Sequence, residues 1–137
     1  IVNFMSSQIK KLAKDATIQG KIVERLVAKK YKAKYVNKPG YDLLVEKTGE
    51  RIEVKYTNYI HDGKYLRINK IGDNKKGRCD SIIIVDGVNM REFKIPAKVF
   101  YKYANLFKSG EFTWSADYNE SEYVQVSNTK LLLRYEV

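Results

Sequence analysis

A chain of 137 residues with 44% apolar residues can bury one hydrophobic core, so the sequence predicts a single domain over residues 1–137. The net charge of +10 favours a polyanionic partner, with DNA or RNA ahead of an anionic membrane surface. One cysteine and one histidine exclude an intrachain disulfide framework and a cysteine- or histidine-rich metal site, and no apolar run approaches the ~20 residues that cross a bilayer. We therefore expect no membrane partner and an intracellular protein, cytoplasmic or nucleoid-associated and not secreted.

The first predicted element is a helix within residues 8–30, where apolar residues recur at spacings of three and four. Gly20 disfavours a helix, so we expect a short leading helix and a main helix from about Gln19. Glu24 lies on the margin of the apolar face of that main helix. Such a carboxylate can either reach the end of a neighbouring strand or pair with a surface lysine.

Lysines and tyrosines alternate through residues 29–38, which hold five lysines. We expect the first half of this segment to finish the helix, and Tyr35 and Val36 to lead into the next element. Such a mixture can contact phosphates while its aromatic rings pack or stack, although a solvated basic surface explains any single lysine equally well.

Residues 39–56 predict a β-hairpin, because apolar runs at 43–45 and 52–54 flank a turn at 48–50 that contains Gly49. Side chains alternate between the two faces of a strand. Ile52, Val54 and Tyr56 therefore point to one side, and Glu53 and Lys55 to the other.

Asp42 opens the first strand of this hairpin, and its position predicts a small charged site. If Asp42 shares a face with Glu53 and Lys55, two carboxylates and an ammonium group meet at one edge of the sheet. Mg²⁺ binds oxygen ligands, commonly one or two carboxylates together with substrate phosphate. A nearby lysine can orient or deprotonate the attacking water and offset negative charge in the transition state. The alternative is an ordinary charged face on a half-buried strand.

The next segments predict a turn at 61–64, a strand at 65–68 and a basic loop at 69–78. Residues 80–86 form a continuous apolar run, which is typical of a strand buried on both faces. The loop either clamps a phosphate backbone or is simply a solvated connection.

The remaining part of the chain predicts a strand at 91–95 and a helix that opens at Pro96. The tail at 111–137 suggests an added C-terminal β-hairpin that covers a sheet edge or forms a dimer contact, with residues 112–114, an acidic turn at 117–122, residues 123–126 and a last strand at 131–135.

The arrangement of Asp42, a spacer and then Glu53-Val54-Lys55 on the following strand resembles the PD-(D/E)XK nuclease superfamily, which includes restriction endonucleases and Holliday-junction resolvases. The resemblance covers residues 19–86 and, less specifically, the helix from Pro96. In this chain the proline of the family motif is displaced, because the sequence reads Pro39-Gly40-Tyr41-Asp42.

The resemblance implies an α/β fold with a restriction-endonuclease-like core, in which helices flank a mixed central β-sheet in the order α-β-β-β-α-β. It also implies Mg²⁺ as cofactor, with Mn²⁺ as a substitute, held by Asp42 and Glu53 with the carbonyl group of Val54 as a further ligand. Glu24 would assist the metal, as in the resolvase-like branch, and Lys55 would position the water. Asp42, Glu53, Lys55 and Glu24 are the catalytic residues that this resemblance predicts.

We therefore expect a Mg²⁺-dependent DNA endonuclease, restriction-like or junction-resolvase-like, that acts on duplex or branched DNA as a homodimer. The alternative is a catalytically inactive DNA- or RNA-binding module on the same fold. The expected contacts with the nucleic-acid backbone are Lys64, Arg67, Lys70, Lys75, Lys76 and Arg78.

Overall fold

A computed structural model describes residues 16–57, 60–61, 65–69, 77–87, 91–106, 112–116, 122–126 and 133–137. Two helices and nine strands lie in these ranges, and the strands form a five-stranded sheet and a four-stranded sheet. The predicted α/β class, with a mixed sheet and helices, is confirmed. No helix in the described ranges is long and apolar enough to span a membrane.

Helix α1 (Ala16–Lys30) is continuous through Gly20, so the predicted break does not occur in the described part of the chain. Val23, Val27 and Ala28 are buried against the sheet. This packing offsets the cost of up to ~1 kcal/mol that a glycine imposes inside a helix. The predicted leading helix before Ala16 lies outside the described residues.

Strand β1 (Lys34–Lys38) follows α1 and pairs antiparallel with β2 (Tyr41–Val45). Tyr35 and Val36 therefore lead into the hairpin as part of an additional strand at the sheet edge, which the sequence did not predict. Between the two strands Pro39 is followed by Gly40 at φ +90°, the combination that favours a tight turn of type II.

Strand β3 (Glu50–Thr57) pairs antiparallel with β2, which confirms the predicted hairpin. Gly49, at φ +76°, closes the turn between them, and its amide donates a 2.7 Å hydrogen bond to the Val45 carbonyl. Ile52 and Val54 are buried in the core cluster under α1, as the alternation predicted.

Strand β6 (Ser81–Asp86) is buried along its whole length and lies parallel to β3. It pairs antiparallel with β7 (Arg91–Pro96), and the strand order of this sheet is β1-β2-β3-β6-β7. Ile83 and Val85 face α1, whereas Ile82 and Ile84 are fully buried on the opposite face. The central sheet is thus covered on both sides, which explains the continuous apolar run.

Helix α2 (Ala97–Leu106) begins directly after Pro96, which ends β7, one residue later than predicted. The helix contacts β6, β7 and a strand of the second sheet, β8 (Phe112–Ala116), so it packs at the junction of the two sheets. Phe100 is fully buried and packs its ring edge-to-face against Tyr101.

The second sheet has the order β4-β5-β9-β8 and consists of antiparallel pairs. Its strands are β4 (Ile60–His61), β5 (Tyr65–Asn69), β8 (Phe112–Ala116) and β9 (Glu122–Val126). The strand predicted at 131–135 was wrong in its described part, because 133–135 form a 3₁₀ turn. The backbone then rejoins β7, where the Val137 amide donates to the Glu92 carbonyl at 3.0 Å.

Candidate active site

Asp42 and Glu53 are brought together by the register of β2 and β3. Leu43 is paired with Ile52 at the end of this register. Side chains alternate between faces along a strand, so Asp42 and Glu53, which adjoin this pair, both point to the face opposite Leu43 and Ile52. The carboxyl groups of Asp42 and Glu53 are accordingly hydrogen-bonded to each other.

The backbone pairing of β2 with β3 ends at Leu43 and Ile52, and the Asp42 side chain accepts the next backbone hydrogen bond of β3. Its Oδ2 accepts a 2.8 Å hydrogen bond from the Val54 amide. The side chain thus satisfies a buried backbone donor next to Glu53 and is fixed by it. Only 7% of Asp42 is exposed to solvent.

Burial raises the pKa of Asp42 to about 8, and repulsion from Glu53 and then Glu24 adds to the shift, while the Val54 amide opposes it. Asp42 is therefore protonated at neutral pH in the metal-free protein, and its carboxyl group donates the hydrogen bond to Glu53.

Lys55 follows Glu53 on the same face of β3, and its Nζ lies 3.3 Å from Glu53 Oε1. The two side chains are only 16% and 12% exposed, so this ion pair is well shielded from solvent. The predicted juxtaposition of Glu53 and Lys55 is therefore present in the structure.

Glu24 reaches the same group from α1. Desolvation raises the pKa of Glu24, a hydrogen bond from the Tyr35 hydroxyl lowers it, and Glu53 and Lys55 act on it with opposite signs. Glu24 therefore lies within electrostatic range of the two strand residues, at the margin of the helix that the sequence indicated.

The carboxylate cluster, defined as Glu24, Asp42 and Glu53, carries three negative charges when fully ionised, and Lys55 is the half-buried cation beside it. A divalent cation would relieve this excess of negative charge. Within the described residues no three acidic, histidine or cysteine side chains already converge on one metal position. Asp42 and Glu53 fit an ion that binds two carboxylates and completes its coordination with water and phosphate oxygens, as Mg²⁺ commonly does.

Most of the predicted backbone contacts cannot be compared with the structure. Lys64, Lys70, Lys75 and Lys76 lie outside the described residues, as does the side chain of Arg67 in β5. Arg78 is exposed and packs against the turn at Gly40, two residues before Asp42.

Two residues that sequence reasoning missed support the cluster. Tyr35 donates its hydroxyl hydrogen bond to Glu24, and Arg25 lies 4.8 Å from the centre of the Tyr35 ring. Cys79 is buried, and its sulfur accepts a hydrogen bond from the Glu53 amide. Burial raises the pKa of Cys79 to about 11, and Glu53 and Asp80 add to the shift, so the thiol is neutral. Neither contact has a local sequence signal, because each joins different elements.

A second group of charges lies on the α1 face of the same sheet. We call it the paired network: Glu92 with Lys30 and Tyr31, and Glu50 with Lys94 and Ser81. Lys30 Nζ lies 2.6 Å from Glu92 Oε2, and Lys94 Nζ lies 3.2 Å from Glu50 Oε1. Here each carboxylate has its own ammonium group.

Comparison with known proteins assigns no family. No protein-family profile matches the chain, and no curated protein matches it significantly.

Proposed function

We propose that the protein is a Mg²⁺-dependent DNA endonuclease of the PD-(D/E)XK type. The observation that carries the proposal is the pair of hydrogen-bonded carboxyl groups of Asp42 and Glu53 on neighbouring strands, buried next to Lys55, so that two acidic groups share one ammonium group. Structural carboxylates are rarely buried without a cation for each, whereas a metal site needs such a surplus.

Asp42 and Glu53 would hold the metal, with Glu24 assisting directly or through water and the Val54 carbonyl as a further ligand. The bound cation would stabilise charge on the attacked phosphate and lower the pKa of the attacking water. Lys55, held against Glu53, is placed to orient that water towards the phosphorus atom. The hydrogen bond from the Val54 amide fixes Asp42 in position for binding.

The element order supports a restriction-endonuclease-like core as part of this proposal. Helix α1, the β2–β3 hairpin and strand β6, which is parallel to β3, follow one another along the chain. The β4–β5 hairpin occurs in the connection from β3 to β6. Nuclease activity would lie in the face that carries Asp42, Glu53 and Lys55.

The proposed substrate is DNA, duplex or branched, because the net charge of +10 favours a polyanion. Cleavage of two strands or two junction arms requires two sites, so we propose a two-fold homodimer. The predicted backbone contacts remain Lys64, Arg67, Lys70, Lys75, Lys76 and Arg78.

The experiment is incubation of the purified protein with supercoiled plasmid and with a four-way junction, in Mg²⁺ and in EDTA. We expect nicked or linear products in Mg²⁺ and none in EDTA. Sedimentation with and without DNA tests the dimer, and a monomer in both conditions would refute it. Salt-sensitive binding without cleavage in either Mg²⁺ or Mn²⁺ would instead support an inactive DNA- or RNA-binding module.

A further inference from the structure

A pocket of about 440 Å³ opens beside the carboxylate cluster, where β3 and β6 begin and α2 starts. Its volume falls within the ~300–1,000 Å³ of small-ligand sites. Arg51 and Cys79 line it. Arg51 precedes Glu53 by two residues and so shares its face of β3, about 7 Å along the strand, and Cys79 contacts the Glu53 amide. The pocket therefore lies next to the proposed catalytic face.

The chemistry of the pocket suits one nucleotide. Its wall includes the largely buried Tyr101 and the apolar surfaces of Pro96 and Ala97, against which a flat base can pack. Lys98 lies exposed at the rim, in the first turn of α2, which contains no acidic residue. A phosphate there would meet both an ammonium group and the positive end of the helix.

Among the described lining residues, the one carboxylate does not oppose this assignment. Asp80 is already bound by Arg51, through the backbone amide at 2.8 Å and the guanidinium group at 3.2 and 3.3 Å. These bonds keep the pKa of Asp80 below its usual range and neutralise Arg51 and Asp80 against each other. In the described part of the wall, Lys98 is left as the cation that is not engaged by an acidic side chain.

We infer that this pocket binds an unpaired nucleotide next to the bond that is cleaved, with the base in the cavity and its phosphate at Lys98. The inference rests on the proposed nuclease function and narrows its substrate. A base that is paired and stacked in a duplex cannot enter a concave pocket. The preferred DNA therefore has an unpaired nucleotide at the cleavage site, as at a strand end, a flap or an open junction.

The test measures binding in EDTA, so that it is independent of cleavage. Affinities for a labelled single strand and for a duplex of the same length are compared for the wild type, Lys98→Ala and Lys29→Ala. Lys29 is the matched control, since it is an exposed lysine on α1. We expect Lys98→Ala to weaken single-strand binding about tenfold and duplex binding less than about threefold, with Lys29→Ala affecting both DNAs equally.

Cys79, the single cysteine of the chain, reports on the pocket directly. At pH 9 the single strand should slow modification of Cys79 by methyl methanethiosulfonate about fivefold, and the duplex should not. The inference is overturned if Lys98→Ala weakens single-strand binding no more than Lys29→Ala does. Equal protection of Cys79 by both DNAs, or protection by neither, would also overturn it.

The two proposals fail separately. If the protein cleaves DNA in Mg²⁺ but does not prefer single strands in EDTA, the nucleotide-pocket proposal is refuted and the nuclease proposal stands. If it binds single strands selectively but cleaves in no metal, the nuclease proposal is refuted and the nucleotide-binding pocket stands.

Discussion

The carboxylate cluster and the paired network differ in the number of lysines that accompany their acidic side chains. In the paired network Glu50 and Glu92 each contact one lysine, and the Glu92 side chain is fully buried with Lys30 at 2.6 Å. In the carboxylate cluster Lys55 contacts Glu53 at 3.3 Å, and the pKa of Asp42 rises to about 8 through burial first and its acidic neighbours second. The fold can pair buried acids with lysines, and at Asp42 it does not. That difference distinguishes charges that hold the structure from charges that await a ligand.

The largest expected difference between the two groups is in DNA cleavage. Glu53→Gln and Lys55→Ala should each lower the rate by about 10²–10³-fold, because they remove charge at the reacting phosphate. Glu50→Gln, the matched change in the paired network, should leave the rate per folded molecule within about threefold. Plasmid nicking measures all three rates. Equal losses in Glu50→Gln and Glu53→Gln would contradict the comparison.

Stability should show the reverse order. Lys30→Ala leaves Glu92 buried without its cation, and we expect a loss of about 2–3 kcal/mol in the free energy of unfolding. This is below the loss for a wholly buried pair, because Lys30 is partly exposed and the Tyr31 hydroxyl still contacts Glu92 at 3.2 Å. Urea titration at pH 7 measures it, with Lys29→Ala as control. A loss below about 0.5 kcal/mol would mean that the paired network does not stabilise the fold.

The pH dependence of the stability of the metal-free protein tests whether the burial of Asp42 among acidic neighbours destabilises the fold. Because the pKa of Asp42 is raised in the folded state, its contribution to stability is full below pH 4 and is lost as the pH rises through about 8. Asp42→Asn removes this loss and can keep the hydrogen bond from Val54. In EDTA at pH 8.5 we expect Asp42→Asn to be more stable than the wild type by about 1–2 kcal/mol, with no advantage at pH 4.

Thermal melts at both pH values measure this difference. Added Mg²⁺ should stabilise the wild type at pH 8.5 and reduce the advantage of Asp42→Asn. An equal advantage of the variant at both pH values would show that the titration of Asp42 is not its cause.

The smallest expected effect concerns the turn that leads into Asp42. Gly40 has φ +90°, and a side chain there would overlap Arg78. Gly40→Ala should cost about 1 kcal/mol of stability and lower the cleavage rate several-fold by displacing Asp42. Gly49→Ala is the control, since it also has a positive φ but open space around the missing side chain. A similar loss of cleavage in both variants would show that the position of Asp42 does not depend on the Gly40 turn.

The sequence predicted what local patterns determine. The β2–β3 hairpin follows from Gly49 and the alternation of Ile52, Glu53 and Val54, and that alternation also set Glu53 beside Lys55. The placement of Asp42 on the same face as Glu53 depends on the length of the turn, so it too could be anticipated.

Features that depend on distant partners were not predictable in this way. Strand β1 (Lys34–Lys38) lies at a sheet edge, where its lysines are exposed and no apolar alternation marks it. The 3₁₀ turn at 133–135 replaces a strand because Leu133 is 43% exposed and the backbone pairs with β7 only at Glu136. The contact of Lys30 with Glu92 joins residues 62 positions apart, and an amphipathic strand gives no sign that its glutamate is buried.

Titration of Mn²⁺ into the wild type, Asp42→Asn and Glu50→Gln by isothermal calorimetry at pH 7.5 tests the central claim most directly. The account predicts saturable binding to the wild type and to Glu50→Gln, and a loss of at least about tenfold in affinity for Asp42→Asn. Binding that is absent from the wild type, or equal in Asp42→Asn, would contradict it.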